Sequence, residues 1–171
     1  MIRVAGWDAL DRVAAQARTA GSVVTLGIFD GLHRGHRLLL AHASRIARDE
    51  GFAQIHLSFD PHPDLLIRGS VPPRLMDPDE LDARLSLAGV DLRCNLPFDE
   101  RMRDTPWQTF VEQVVRHCGM RALVLSPESA IGARREGSAE RIASWGSTHG
   151  VVVRTVREAR SEEHTSELQS H

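Results

Sequence analysis

The sequence predicts an α/β fold, a parallel sheet of about five strands with helices on both faces. Short apolar, β-branched runs alternate with longer runs whose apolar residues recur at helical spacing. Glycines stand where the helical runs stop, and the next strand-like run follows each stop. The first strand-like run, SVVTLGIF, is apolar on both sides, as a strand covered by helices requires. The order strand, helix, strand, helix then implies right-handed crossovers and parallel pairing.

Each element has a local reason. A short helix is expected near Trp7 to Ala17. SVVTLGIF, Ser22 to Phe29, is β-branched and apolar and gives the first strand. HRLLLAHASRIARDEG places Leu39, Ala43, Ile46 and Ala47 on one helical face and stops at Gly51. AQIHLSF, Ala53 to Phe59, is the second strand. Asp77-Pro78-Asp79-Glu80 and Thr105-Pro106-Trp107-Gln108 each offer a capping side chain, a first-turn proline and an acid or amide at the third helical position. Gly89 and Gly119 end those helices, and strands follow at about Asp91 to Leu96 and Arg121 to Leu125. A helix near Ala139 to Thr148 leads into VVVRTV as a fifth strand.

With 171 residues and 42% hydrophobic content, the chain suits one domain with its own core. A net charge of -2 gives no broad basic field, so neither nucleic acid nor an anionic membrane is expected as a partner. No run of about 18 apolar residues occurs, and the N-terminal MIRVAGWDALDRVAAQ carries an acid where a signal peptide is apolar, so a cytoplasmic location is expected. All 21 basic residues are arginine. Without lysine there can be no P-loop, nor the lysine-containing second signature of aminoacyl-tRNA synthetases. Cys94 and Cys118 form no CxxC pair and are expected to be buried thiols.

RSEEHTSELQS, Arg160 to Ser170, is polar and aperiodic. It resembles the in-frame translation of a short-read sequencing adapter, so residues 160–171 are expected to be a non-native tail behind a domain of residues 1–159. Without them the acidic and basic residues balance.

The chemistry concentrates in TLGIFDGLHRGHRLLL, Thr25 to Leu40. A glycine-rich turn between a strand and its helix lets backbone approach a ligand closely, and the helix start points unpaired N–H groups at it. His33 and His36 add ring donors beside those amides, suited to a phosphoryl oxygen whose charge grows during transfer. Two histidines that only cap the helix are the plainer alternative.

The string GIFDGLHRGH resembles the GxFDGxHxGH signature of the FMN adenylyltransferase module of bacterial bifunctional riboflavin kinase/FAD synthetases, which belong to the nucleotidylyltransferase superfamily with its shared HxGH. The resemblance implies a Rossmann-like nucleotidylyltransferase fold that makes FAD and pyrophosphate from FMN and ATP with Mg2+. It implies that His33 and His36 hold ATP phosphates, and that Gly27, Phe29, Asp30, Gly31 and Gly35 form the nucleotide side. SFDPHP, Ser58 to Pro63, resembles the family's TFDPHP and places Asp60, Pro61 and His62 toward the flavin, although DPHP alone is an ordinary turn. The LPFD of Leu96 to Asp99 resembles a third family element, in which Phe98 borders the isoalloxazine ring or packs in the core. No metal-ligand set is expected in the protein itself. A riboflavin kinase domain is expected downstream in the intact protein.

Two departures matter. LVLSPESAIGARREGS, Leu123 to Ser138, stands where the family has two acidic or amide positions, Phe-Arg-Phe-Gly and a basic loop; only Gly132, Arg135 and Gly137 keep the pattern. That loss should weaken flavin packing and phosphate neutralisation, with Arg134 and Arg135 as substitutes. The family's Ile-Ser-Ser-Thr-x-Ile-Arg element has no counterpart before residue 160, so weak or absent turnover is expected of the chain as it stands. The alternatives are a non-catalytic nucleotide or flavin binder, or a sister nucleotidylyltransferase with another phosphorylated acceptor.

Overall fold

The computed structural model describes residues 1–159; the tail expected over 160–171 lies outside the described residues. In chain order the elements are β1 (Ile2–Ala5), α1 (Trp7–Val13), α2 (Ala15–Ala20), β2 (Ser22–Leu26), α3 (Arg34–Glu50), β3 (Ala53–Asp60), α4 (Pro63–Arg68) and α5 (Pro78–Leu87). There follow β4 (Leu92–Pro97), α6 (Glu100–Asp104), α7 (Trp107–Cys118), β5 (Met120–Leu125), β6 (Ala130–Ile131), β7 (Gly137–Ser138), α8 (Ala139–His149) and β8 (Val152–Thr155).

Six strands form one parallel sheet in the order β1-β4-β3-β2-β5-β8. The chain runs outward from β2 through β3 to β4, then returns to β5 on the other side of β2. The carboxyl ends of β2 and β5 therefore form the switch point at which open α/β sheets bind ligands. Side chains alternate across the sheet. Val24, Ile55, Leu57, Cys94 and Leu96 pack against α1, α2, α7 and α8 through Leu10, Ala17, Phe110, Val111, Val114 and Ile142. On the other face Val23 and Val124 pack against α3 and α5 through Leu40, Ala43 and Leu85. Both cysteines are buried, and burial pushes the Cys94 and Cys118 thiols up to about 11 and about 12.

Four expectations are corrected. The sheet has six strands, because Ile2–Ala5 pairs with β4; these four residues are mostly exposed and carry no alternating pattern to announce them. The helix expected over Trp7 to Ala17 is two, broken at Ala14 and running on to Ala20. Thr105 does not cap α7: its hydroxyl donates to the Arg101 carbonyl at 2.6 Å, closing α6, and its own carbonyl accepts from Ala133 N at 2.8 Å. Pro106 is consequently extended and precedes the helix. Finally, the segment after β5 is no plain loop but an antiparallel pair, β6 with β7, around a 3₁₀ turn.

Candidate functional site: stacked imidazoles between two recesses

Between β2 and α3 the chain turns through residues 27–33. Gly27 has φ 144°, and a side chain there would stand 3.2 Å from the Phe29 ring. Leu32 takes φ 40°, a conformation unfavourable for a branched residue, and is held there by burial of its side chain under α3. This turn delivers His33 as the N-cap of α3.

His33 Nδ1 accepts from His36 N at 3.4 Å, which leaves Nε2 as the ring's donor nitrogen. The two imidazoles stack with centroids 3.5 Å apart. Gly35 makes this possible, since a Cβ there would stand 3.1 Å from His33 Cε1. His36 in turn stacks on buried Phe29 at 4.2 Å, and Phe29 meets His56 at 4.3 Å. His56 is 1% exposed, and its Nδ1 shares a hydrogen bond with Thr25 Oγ1 at 2.9 Å. Four rings thus form a column from the start of α3 into the sheet. Burial, reinforced by His33, lowers His36 to about 4; burial, with Arg93 and His36, lowers His56 to about 3. Both are neutral at pH 7, and His36 Nδ1 is buried without a partner. Beside the pair, Arg34 Nε lies 3.1 Å from Glu158 Oε1.

Two recesses flank the end of β3. A cavity of about 350 Å³ opens at the carboxyl ends of β2, β3 and β5, walled by Phe59, Phe98, Phe110, Met102 and Ile67 with Gly27 at its edge. Phe98 meets Phe59 edge-on at 5.5 Å. A cleft of about 740 Å³ lies on the other side, over the ends of β1, β3 and β4. The residues expected to face flavin are therefore divided: Phe98 lines the aromatic cavity, whereas Asp60, Pro61 and His62 line the larger cleft with Phe29 and Asp30. His62 also caps α4, its Nδ1 accepting from Asp64 N at 3.1 Å. The Asp30 carboxylate accepts from Leu75 N at 2.9 Å and so ties the turn to the loop before α5; Gly31 leaves room for the Leu75 side chain.

The diverged segment still closes the aromatic cavity. Ser126 and Ser129 share a hydroxyl hydrogen bond at 2.9 Å, and Ser129, Ala130, Ile131 and Arg135 line the wall. Arg134 and Arg135 are exposed, and Arg135 donates to the Glu128 carbonyl at 3.5 Å.

Residue-type reasoning did not find His56, Phe59, Phe110 or Met102. A lone imidazole in an otherwise apolar strand was the one available signal for His56, while the others look like core residues. Among the described residues no group of three or more His, Cys, Asp or Glu is placed to hold a metal ion, and no helix is long and apolar enough to cross a membrane.

Comparison with known proteins fits this geometry. Residues 15–170 match the family described as FAD synthetase. The bifunctional riboflavin kinase/FMN adenylyltransferase of Escherichia coli K12 is 34% identical over 125 residues, covering 72% of this chain and 40% of the relative. That of Pseudomonas fluorescens is 29% identical over 143 residues, covering 78% and 43%. The chain thus spans about two fifths of the length of these curated relatives. Among solved structures, a Streptococcus pneumoniae protein described as macrolide-efflux superposes with TM-score 0.71 at 23% identity, over 82% of this chain and 54% of that one. Pantothenate synthetase from Thermus thermophilus follows with TM-score 0.55 at 19% identity, over 91% and 60%. At these identities the superpositions establish the Rossmann-type fold and nothing finer. Taken with the helix-start imidazole pair, the sequence match over residues 15–170 places this chain in the FAD synthetase family.

Proposed function

We propose that the protein in its complete form transfers the adenylyl group of ATP to FMN, giving FAD and pyrophosphate. The observation that carries the reading is the His33–His36 pair stacked at the start of α3, beside an aromatic cavity at the sheet's switch point. An oxygen of the FMN phosphate attacks the α-phosphorus of ATP as the bond to the bridging β-phosphate oxygen breaks, and pyrophosphate leaves. No covalent enzyme intermediate is needed, so the protein contributes position and charge stabilisation.

His33 Nε2–H and the free N–H groups at the start of α3 donate to the triphosphate, and His36 joins them as negative charge develops. Gly27, Gly31 and Gly35 keep the turn low, while Asp30 holds the neighbouring loop on it. The flavin ring packs against Phe59 and Phe98 in the aromatic cavity, while Asp60, Pro61 and His62 line the cleft on the other side of the end of β3. With no ligand cluster of its own among the described residues, the protein takes Mg2+ as part of the ATP complex. As in the relatives named as bifunctional, a riboflavin kinase domain accompanies this module in the complete cytoplasmic enzyme.

The test is FAD formation from FMN and ATP by the full-length protein, with pyrophosphate release measured alongside. The double variant His33→Ala/His36→Ala should lose about 10²–10³-fold in kcat, the usual cost of removing oriented donors to developing charge. FAD output unchanged in that variant, with ATP affinity also unchanged, overturns the reading. Flavin binding without any turnover favours the non-catalytic binder.

A further inference from the structure

A third recess lies away from the two at the carboxyl ends of the strands and shares no lining residue with either. It is a groove of about 800 Å³ between α3 and the end of α5, and adenylyl transfer makes no use of it. Arg37, Ala41, Ser44 and Arg48 recur at helical spacing, so they share one face of α3 and form one wall. The small residues in the middle leave the groove open, and the helical rise sets the two arginines about 16 Å apart, one toward each end. Arg84, Leu87 and Ala88 form the facing wall, with Leu40 and Phe52 in the lining between.

Two features of this lining have no partner within the fold. Leu87 is 89% exposed, and among the described residues no large apolar side chain is more so. Arg84 is paired with Glu80 at 2.6 Å, and the Asp91 carboxylate accepts from Gln54 N at 2.8 Å. Arg37 and Arg48, by contrast, enter no ion pair among the described residues. Asp49 and Glu50 follow Arg48 in the chain but do not line the groove. The groove is therefore apolar along its middle and carries an unpaired cation toward each end.

This combination is selective. An inorganic anion gains little, because one exposed arginine holds it weakly in water and the two stand too far apart to share it. An apolar molecule covers Leu87 and Phe52 but leaves the guanidinium groups without a counter-charge. A molecule with both parts removes apolar surface from water and supplies that charge at the same time.

We propose that the groove between α3 and α5 is a further small-molecule site, taking an organic anion whose apolar body lies against Leu87 and Phe52 and whose charged group is held by the rim arginines, Arg37 and Arg48. Its volume is that of an ordinary ligand pocket.

Two fluorescent probes are titrated separately into the full chain: anilinonaphthalene sulfonate, an aromatic body with one sulfonate, and phenylnaphthylamine, the same rings without it. Neither takes part in adenylyl transfer, so the outcome is independent of that reading. Ala41, Arg37 and Arg48 are exposed, so each can be replaced without disturbing the core. The proposal requires one saturable site for anilinonaphthalene sulfonate, weakened about tenfold by Arg37→Gln/Arg48→Gln and by Ala41→Trp, which fills the groove, and unaffected by Phe98→Ala. Phenylnaphthylamine, with no charge for the arginines to meet, must not respond to the arginine variant. The absence of a saturable site, binding that neither groove variant changes, binding that Phe98→Ala weakens instead, or equal loss of both probes in the arginine variant overturns the proposal. Should Ala41→Trp fail to fold, the Leu87 methyl and Arg48 Nε–H resonances of the unsubstituted protein report instead: they must shift on saturation with anilinonaphthalene sulfonate, and unmoved resonances overturn the proposal.

Discussion

The imidazole of His36 lies on the ring of Phe29, centroids 4.2 Å apart and planes 14° from parallel. An aromatic support of this kind fixes a ring without using its nitrogens; with Nδ1 buried, Nε2 is the nitrogen left for a ligand. Phe29→Leu should therefore raise the KM for ATP about tenfold while leaving the KM for FMN unchanged, because it loosens His36 and touches no wall of the aromatic cavity. Steady-state kinetics on the full-length protein, with the His36 ring proton shifts as a structural reporter, check this. Shifts that move without any change in KM would show that the stacking is ornamental to binding.

Gly35 carries a second prediction. A methyl group there reaches to 3.1 Å from the His33 ring, and that ring is confined by His36 on its other side. Gly35→Ala should thus displace His33 and cost about tenfold or more in ATP affinity, although alanine is by itself the better helix former. Thermal stability that is equal or improved, beside weakened ATP binding, is the expected pair of results.

The acid side of the stability profile follows from the buried imidazoles. Unfolded, His36 and His56 titrate at 6.5; folded, burial holds them near 4 and near 3. Between the unfolded and folded values the unfolded chain binds more protons, so stability falls as pH is lowered through that interval and is insensitive to these groups above about 7. Down to about pH 5 the two groups contribute alike, together a loss on the order of a few kcal/mol, and only below about pH 4 does His56 continue alone. Denaturant midpoints at pH 7 and pH 5 should differ, and His56→Val should remove about half of the difference.

Much of this architecture is visible in residue patterns. β2 and β8 follow from β-branched runs, β3, β4 and β5 from short apolar-rich segments, the last two after a helix-stopping glycine, and α3 from its periodicity and the glycine after it. The turn at 27–33 is equally legible, since glycine and histidine have few reasons to be spaced in that way. What stays hidden depends on distant partners. Ile2–Ala5 becomes a strand only because β4 offers an edge. Thr105 has a capping side chain, yet the Arg101 carbonyl claims its hydroxyl. The division of Asp60, Pro61 and His62 from Phe98 is likewise illegible, because motif order says nothing of which side of β3 a side chain faces.

Asp30 links the turn to the loop before α5 through one hydrogen bond, from Leu75 N at 2.9 Å. Leu75 is otherwise 78% exposed, so this bond is a principal restraint on the loop. Asp30→Ala should accelerate hydrogen exchange at Leu75 and its neighbours and increase cleavage there by proteases, with little change at α3. Exchange unchanged at Leu75 would mean that the apolar contact with Gly31 alone holds the loop.

The segment from Ser126 to Ser138 lacks the aromatics expected of it, yet its fold is tightly specified by Trp107. A Cβ at Gly132 would lie 2.5 Å from Trp107 Cα, and one at Gly137 would lie 2.5 Å from Trp107 Cβ. Gly132 also has φ 81°, so a side chain there is strained even before the clash. These two glycines clamp the β6–β7 pair on the first turn of α7, and that pair carries Ala130 and Ile131 into the wall of the aromatic cavity. Gly132→Ala should therefore cost about 1–3 kcal/mol of stability and also weaken flavin binding, whereas Glu128→Ala, exposed on the same segment, should do neither. Flavin fluorescence quenching alongside thermal unfolding separates the two effects. If Gly132→Ala destabilises the protein yet leaves flavin affinity intact, the clamp serves the core alone, and the ring must be held by Phe59, Phe98 and Phe110 without the hairpin.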